Sequence, residues 1–294
     1  MESLIEVDIV TSTVIPEFII KTDVRKWLEE DIPYLDLTSR LVPDKHALAH
    51  IIAKQDGVIC GTEIARLVFS ETGVTSIMPK IHDGGLVNKG DTVIELQGNA
   101  KNILLGERVA LNILGHLSGI ATQTRRLVQK LLDNGLETRI AATRKTLPGL
   151  RRYEKYAVEV GGGDTHRLSL SDMVLLKENH LAEFPSITKA LEVVRDKLSF
   201  SKKIEIEVKN EDEAFEAATT HIPDVIMLDN FSPKETEKII PRLKDLYPDV
   251  LIEASGGITP QNVIEYAKAG VDIISMGYLT HSVKNFDLSL LIRD

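Results

Sequence analysis

The sequence is poor in the residues and segments that mark several classes of protein. Its 294 residues include a single cysteine, Cys60, which excludes an intramolecular disulfide and a cysteine cluster for zinc. No apolar run reaches the roughly 18–20 residues that a membrane-spanning helix needs. Glycine and proline together are too few for a collagen-like or low-complexity chain. The N-terminal segment MESLIEVDIV is too acidic for a signal or transit peptide, which predicts a cytosolic protein.

Positive charge is also scarce over the chain as a whole. The formal net charge is −9, which argues against a general nucleic-acid or membrane-surface binder. Residues 139–180 are the exception, because they carry eight Lys and Arg against five Asp and Glu. This segment is either a solvated basic face or part of an anion site, and the choice depends on where the charges lie relative to the strands.

From about residue 137 onward the chain repeats a short apolar run, a polar or glycine residue at its end, and a helical stretch. The apolar runs are ETRIAAT, DMVLL, KIEIEV, DVIML, DVLIEA and DIISM. Ser232-Pro233 and Thr259-Pro260 predict helix starts, and Gly270 predicts a helix end. Apolar strands that alternate with helices predict a parallel sheet closed into a β/α barrel, with an open doubly wound sheet as the alternative.

Polar residues and glycines follow these runs at the carboxyl ends of the predicted strands, where β/α barrels carry their active sites. They are Arg144, Lys145, Lys177, Glu207, Asp229, Asn230, Ser255, Gly256, Gly257 and Gly277. An isolated Asp229 would be an ordinary helix cap, but the joint placement indicates one site. The paired glycines, a helix predicted from near Pro260, and Gly277 in the final unit predict a phosphate cradle.

Residues 1–136 lack this repeat and are typical of an α+β layer. Helices are predicted at residues 23–31 and in TEIARLVFSETG, and strands in HIIAKQDGVICG and LVNKGDTVIELQG. A further long helix, NILLGERVALNILGHL, is predicted to break near Ser118-Gly119. The sequence therefore predicts a domain boundary near residue 113, with the barrel in residues 114–282.

Several segments, in their order and spacing, resemble the quinolinate phosphoribosyltransferase family, also called carboxylating nicotinate-nucleotide pyrophosphorylases. They are ERVALNILGHLSGIAT, AATRKTLPGLRRYEKYAVEVGGGDTHRLSLSDMVLLKENH, IEIEV, IMLDN, EASGGI and MGYLTHS. The resemblance implies an N-terminal open-faced α/β sandwich, joined by residues 283–294, and a C-terminal incomplete β/α barrel. It also implies a homodimer. The family reaction joins quinolinate to phosphoribosyl pyrophosphate with Mg²⁺, and it gives nicotinate mononucleotide, pyrophosphate and CO₂ in NAD biosynthesis.

Carried over position by position, the resemblance implies two groups of site residues. Quinolinate binding falls on Arg144, Lys145, His166, Arg167 and Lys177, with Arg108 reaching over from the partner subunit. Phosphoribosyl pyrophosphate binding falls on Lys145, Glu207, Asp229, Asn230, Ser255, Gly256, Gly257, Gly277 and His281. The implied catalytic residues are Lys145, Lys177, Glu207 and Asp229, and the last two are also expected to hold Mg²⁺, partly through water. His180 is expected to orient the loop after Lys177.

Two other functions stay open at this point. The first is a non-catalytic, transport-associated relative with a similar fold, although the intact segment Lys177-Glu178-Asn179-His180 favours the enzyme. The second is another sugar-phosphate barrel enzyme. That function explains the glycines but leaves the cluster of Arg, Lys and His without a purpose.

Overall fold

The protein, described by a computed structural model over residues 14–293, divides into two compact units. The first unit comprises the described residues up to Arg126, Arg152–Gly162 and the segment from Ser282. The second comprises Leu127–Arg151 and Gly163–His281. The sequence predicts the change of unit near residue 113, whereas this division falls at residue 126. The acidic segment MESLIEVDIV and Asp294 lie outside the described residues.

The first unit is built around a four-stranded antiparallel sheet. Its strands, in chain order, are β1 (His46–Ala53), β3 (Ser76–Pro79), β5 (Thr92–Asn99) and β12 (Leu288–Arg293), and they lie in the order β12-β1-β5-β3. A separate two-stranded ribbon pairs β2 (Gly57–Val58) with β4 (Leu86–Val87). The helices α1 (Glu17–Asp31) and α2 (Thr62–Glu71) confirm the two predicted helices, although α1 begins six residues earlier than predicted.

The strand β12 returns to the first unit from the carboxyl-terminal segment. It runs antiparallel to β1, with Leu288 opposite Ala53 and Arg293 opposite Leu48. On β1 the residues Ala47, Ala49 and Ile51 are buried and alternate with less buried neighbours, which is typical of a sheet with one covered face. The sheet therefore contains strands from both ends of the described chain.

The predicted break near Ser118-Gly119 is wrong, because the helix α3 runs without interruption from Ala100 to Leu132. A Cβ atom added to Gly119 would overlap the carbonyl oxygen of Lys284, and one at Gly115 would lie 3.0 Å from that of Phe286. These glycines let another backbone segment cross the helix closely. The Ser118 hydroxyl contacts the buried backbone N–H and C=O of Cys60.

By length and composition, α3 is the one helix of the described chain that is long and apolar enough to cross a membrane. Two thirds of its most apolar stretch is buried inside the protein. Ile103, Ala110 and Leu114, for example, have no exposed surface. The apolar composition of α3 is that of a core helix.

The second unit contains six parallel strands, and all six predicted strands are confirmed. They are β6 (Arg139–Ala142), β7 (Val174–Leu176), β8 (Ile204–Val208), β9 (Val225–Asp229), β10 (Leu251–Ser255) and β11 (Ile273–Met276), in the spatial order β6-β11-β10-β9-β8-β7. A complete β/α barrel has eight strands. The sheet is thus the incomplete barrel that the family resemblance implies.

Helices follow the strands of the second unit, and α4 (Arg151–Val160) belongs almost wholly to the first. The others are α5 (Glu178–Leu181), α6 (Ile187–Lys197), α7 (Glu211–Thr219), α8 (Pro233–Leu246), α9 (Val263–Lys268) and α10 (Tyr278–His281). Ser232 caps α8, as predicted, in a reciprocal capping box with Glu235. The helix predicted from near Pro260 begins only at Val263, because residues 259–262 form a turn in which Asn262 Oδ1 accepts from Thr259 N–H.

Candidate active site

The carboxyl ends of the six parallel strands lie along one edge of the second unit. The segments that leave this edge carry the predicted charged residues: Arg144 and Lys145 follow β6, Lys177 follows β7, and Asp229 ends β9. Ser255 at the end of β10 lies directly opposite Asp229 in the register of the sheet. The structure thus brings the predicted second-unit residues to one edge, as the strand-end pattern requires.

Two cationic side chains, Arg144 and Arg167, lie near each other at this edge. Arg144 is half-buried, and its Nε–H is buried without a hydrogen-bond partner in the described part of the chain. Burial lowers the pKa of Arg167, the charge of Arg144 lowers it further, and the charges of Glu205, Asp172 and Glu207 oppose this shift. A buried donor without a partner is rare in folded proteins and is typical of a ligand site.

Lys177 links the cationic side to the acidic side through an ion pair between its Nζ and the carboxylate of Glu207. The side chain of Glu207 is 13% exposed and that of Lys177 is 42% exposed. The backbone N–H of Lys177 donates to Nδ1 of His180 at 3.0 Å. This bond ties the ring of His180 to the start of the loop after Lys177, the loop that His180 is predicted to orient.

The acidic side of the edge is joined to a pair of glycines by Asn230. Asn230 has a φ of 58°, its backbone N–H donates to the Ser255 carbonyl at 2.9 Å, and its side-chain amide donates to Asp229 Oδ2 at 2.9 Å. Gly256 has a φ of 95°, and a Cβ atom there would overlap the side-chain oxygen of Asn230. Gly257 has a φ of 61° and open space where a Cβ would stand. These conformations favour glycine, so the backbone of this turn can approach a ligand closely.

At Gly277, directly after β11, the backbone lies close to two side chains, one of them from the segment that follows β6. A Cβ atom there would lie 2.9 Å from both Lys145 Cδ and His281 Cδ2. The hydroxyl of Thr280 donates to the backbone carbonyl of Lys145 at 2.8 Å, which fixes the start of the segment that carries this exposed lysine. Lys145 and His281 therefore flank the same glycine.

Two buried glutamates that the sequence did not single out lie next to His166. Glu253 Oε2 is 3.1 Å and Glu205 Oε2 is 3.3 Å from Nε2 of His166, and both glutamate side chains are fully buried. Each glutamate interrupts an apolar run, KIEIEV or DVLIEA. A charged residue in such a run is the feature by which the sequence could have identified them. A charged residue inside a buried strand needs a partner, and His166 provides one.

The protonation of this cluster reflects competing effects. Burial alone lowers the pKa of His166, but the hydrogen bonds and charges of Glu205 and Glu253 act in the opposite direction and raise it. Burial raises the pKa of Glu205, a hydrogen bond from His166 opposes that shift, and the charge of Glu253 adds to it. The backbone N–H of Arg167 points at Nδ1 of His166 at 2.8 Å, and a nitrogen that carries a hydrogen could not accept it. This contact therefore opposes protonation of Nδ1 and leaves the ring hydrogen on Nε2.

Arg108 differs from the other predicted site residues because it lies in the first unit. Its side chain is exposed on α3. Its predicted role therefore stays a prediction, whereas the residues of the second unit share one sheet edge.

Comparisons with known proteins agree over nearly the whole chain. Residues 36–118 match the family model of the quinolinate phosphoribosyl transferase N-terminal domain, and residues 120–291 match that of the C-terminal domain. The chain is 41% identical over 274 residues to a probable nicotinate-nucleotide pyrophosphorylase (carboxylating) of Methanothermobacter thermautotrophicus, covering 92% of this chain and 98% of the relative. It is 40% identical to the nicotinate-nucleotide pyrophosphorylase (carboxylating) of Dictyostelium discoideum, covering 96% and 98%.

A solved structure is similar in fold. The nicotinate-nucleotide pyrophosphorylase from Francisella tularensis superposes with a TM-score of 0.90 at 36% identity. The match covers 96% of this chain and 98% of that one. Sequence and fold thus point to the same group of proteins.

Proposed function

The chain belongs to the quinolinate phosphoribosyl transferase family, and we propose that it joins quinolinate to phosphoribosyl pyrophosphate with loss of CO₂. The products are nicotinate mononucleotide, pyrophosphate and CO₂, a step of NAD biosynthesis. The observation that carries this proposal is the single sheet edge at which Arg144, Arg167 and Lys177 lie beside Glu207 and Asp229. A doubly negative pyridine and an activated ribose need such a pairing of cationic and acidic groups.

The cationic side is proposed to hold quinolinate. Quinolinate carries two adjacent carboxylates, and guanidinium groups bind carboxylates through two parallel hydrogen bonds. The unpartnered Nε–H of Arg144 supports this role, since a carboxylate would supply the missing acceptor. The lowered pKa of Arg167 reflects burial and a crowding of positive charge that a bound dianion relieves. Lys145 and Lys177 belong to the same group, and His166 lies directly before Arg167 in the chain.

The acidic side is proposed to hold the ribose and Mg²⁺. Glu207 and Asp229 stand on the neighbouring strands β8 and β9, and carboxylate oxygens are ligands that Mg²⁺ prefers. The donor set thus fits this ion, which usually keeps several waters and also binds the phosphates of the substrate. When bound, Mg²⁺ would neutralise charge on the pyrophosphate.

The glycine turns are proposed to hold the 5′-phosphate of the ribose. Gly257 leaves room for a phosphate to meet its backbone N–H, while Gly256 packs against Asn230, and Gly277 packs against Lys145 and His281. Ser255 lies directly before the glycine pair. The N-terminal end of α9 contributes less than the sequence predicts, because that helix has only six residues and starts at Val263.

Charge determines the order of the chemical events. As pyrophosphate leaves C1, the ribose gains oxocarbenium character, which the carboxylates of Glu207 and Asp229 stabilise while Lys145 balances the departing anion. The ring nitrogen of quinolinate then forms the bond to C1 and becomes cationic. That charge makes the adjacent carboxylate leave as CO₂. The bonding electrons stay on the ring carbon until they form a C–H bond with a proton.

The chain is also proposed to act as a cytosolic homodimer in which Arg108 completes the partner's quinolinate pocket. Arg108 is exposed on α3 and so is available to a second copy. Mixing inactive Arg108→Ala with inactive Lys177→Ala is expected to restore part of the activity, because each mixed dimer contains one site with both residues intact. Failure to regain activity after confirmed subunit exchange would show that Arg108 does not act across an interface.

One assay tests the reaction itself. The purified chain is supplied with quinolinate, phosphoribosyl pyrophosphate and Mg²⁺, and both CO₂ and nicotinate mononucleotide are measured. Equal amounts of both products are expected, with nicotinate inactive as the control acceptor. Absence of product would favour the non-catalytic relative, and a mononucleotide that retains both carboxylates, formed without CO₂, would indicate phosphoribosyl transfer without decarboxylation.

A further inference from the structure

Both ring nitrogens of His166 are occupied by groups of the protein itself. Nε2 faces the carboxylates of Glu253 and Glu205, at 3.1 Å and 3.3 Å. Nδ1 accepts the backbone N–H of Arg167 at 2.8 Å. The side chain is only 13% exposed. Neither nitrogen is left to bind a substrate carboxylate directly.

The backbone around His166 is held in an uncommon conformation. Its φ of 51° lies in the left-handed region, which costs free energy for a residue with a side chain. Asp164 Oδ1 accepts the His166 N–H at 2.6 Å, and the hydroxyl of Thr165 donates to the His166 carbonyl at 3.0 Å. These bonds and the one from Arg167 to Nδ1 close a tight turn that sets the direction in which Arg167 leaves the backbone.

A metal site is the other function that this cluster suggests, since ligand atoms of His166, Glu205 and Glu253 lie within 4.8 Å of one another. A histidine that binds a metal through one nitrogen usually donates its other N–H to an acceptor. Here Nδ1 faces a donor, the N–H of Arg167, so the ring hydrogen is on Nε2. With that hydrogen in place, Nε2 has no lone pair for a metal.

We propose that His166 is a positioning residue, which Glu253 and Glu205 anchor so that its Nδ1 holds Arg167 in the orientation that grips the quinolinate dianion. This inference rests on the proposed function and deepens it. It assigns the two buried glutamates to quinolinate recognition, although neither touches the substrate. Holding Arg167 in advance lowers the entropic cost of fixing a long, flexible side chain when the ligand binds.

Substitutions at His166 separate positioning from direct binding. Asparagine tolerates positive φ, and its side-chain oxygen can take the place of Nδ1 as acceptor for Arg167, whereas alanine has no acceptor. His166→Ala is expected to raise the KM for quinolinate at least about tenfold, since small displacements of a binding group weaken its grip strongly. His166→Asn should recover most of that loss, and the KM for phosphoribosyl pyrophosphate should stay unchanged in both variants. Equal damage in both would overturn the proposal.

Substitutions at Glu253 test the anchor. Glu253→Gln keeps an oxygen that accepts the Nε2–H, so its KM for quinolinate should stay near that of the unaltered protein. Glu253→Leu removes the acceptor and should raise that KM. The matched control is Glu154→Leu, which cuts another buried pair, between Glu154 Oε1 and His116 Nε2 at 2.8 Å in the first unit. This control should lower the melting temperature without changing the KM for quinolinate.

A spectroscopic measurement keeps the test independent of folding losses. Nitrogen-15 NMR of the side-chain imidazoles in the unaltered protein should show His166 with a bare Nδ1 and a protonated Nε2. A protonated Nδ1 at neutral pH would overturn the proposal. If the unaltered protein makes no nicotinate mononucleotide, the proposed function fails; if it does and the variants break the expected pattern, only the positioning role fails.

Discussion

Replacing Arg144 with alanine is expected to lower kcat/KM for quinolinate by about 10²–10³-fold, the scale found when one charge-stabilising donor is removed from an active site. Arg144 is half-buried, and its Nε–H has no partner in the described part of the chain, so a ligand carboxylate is the acceptor that the site lacks. Loss of the guanidinium also removes positive charge near Arg167. Steady-state kinetics with quinolinate as the varied substrate measure the effect.

Arg139→Ala is the matched control for Arg144→Ala. Arg139 begins β6 at the opposite end of the strand from Arg144, and its 73% exposed side chain lies 4.0 Å from the carboxylate of Asp164. Exposed pairs of this kind contribute about 0–1 kcal/mol, so this variant should keep nearly full activity. Full activity of Arg144→Ala, or equal losses in the two variants, would refute the role assigned to Arg144.

Replacing Gly256 with alanine is expected to lower kcat/KM for phosphoribosyl pyrophosphate by about 100-fold, since displacing a site group by about 1 Å can cost that much. The new Cβ would overlap the side-chain oxygen of Asn230 and lie 3.0 Å from its backbone nitrogen. Asn230 would have to move, and it donates to both Asp229 and the Ser255 carbonyl. The φ of 95° adds backbone strain of about 1–2 kcal/mol, which thermal unfolding would report.

Gly270→Ala is the control that separates backbone strain from the steric overlap with Asn230. Gly270 has the same φ of 95°, follows α9, and leaves 3.9 Å between an added Cβ and the nearest atom, on Ile240. This variant should lose stability through backbone strain alone and retain its kinetic constants. Gly257→Ala, with a φ of 61° and open space, is expected to fall between the two. If Gly256→Ala and Gly270→Ala behave alike in kinetics, the contact with Asn230 has no part in binding.

The second unit could be predicted in detail because its strands carry a strong local signal. Parallel strands are buried on both faces, so they appear in a sequence as short, almost continuous apolar runs. DVIML and DIISM each became a strand of that kind, β9 and β11. Since the carboxyl ends of parallel strands share one edge, the residues that follow the runs were expected to meet, and those of the second unit lie along one edge.

The remaining features depend on contacts between residues far apart in the chain. Ser118 and Gly119 resemble a helix break locally, but the glycine is needed where the backbone of Lys284 crosses α3. Glu205 and Glu253 look like strand residues with charges out of place until His166 is seen between them. Local sequence propensity cannot predict either set of contacts, because the partners are separated by about 40 residues or more.

The path of the chain has a consequence for how the protein is made. Strand β12 pairs with β1, and the backbone near Lys284 packs against the glycines of α3. The amino-terminal sheet therefore cannot be completed until residues 284–293 have left the ribosome. Throughout synthesis of the second unit, β1 keeps an open hydrogen-bonding edge of the kind that recruits other chains. A nascent chain stalled before β12 would expose that edge, and shielding by a chaperone would matter most in this interval.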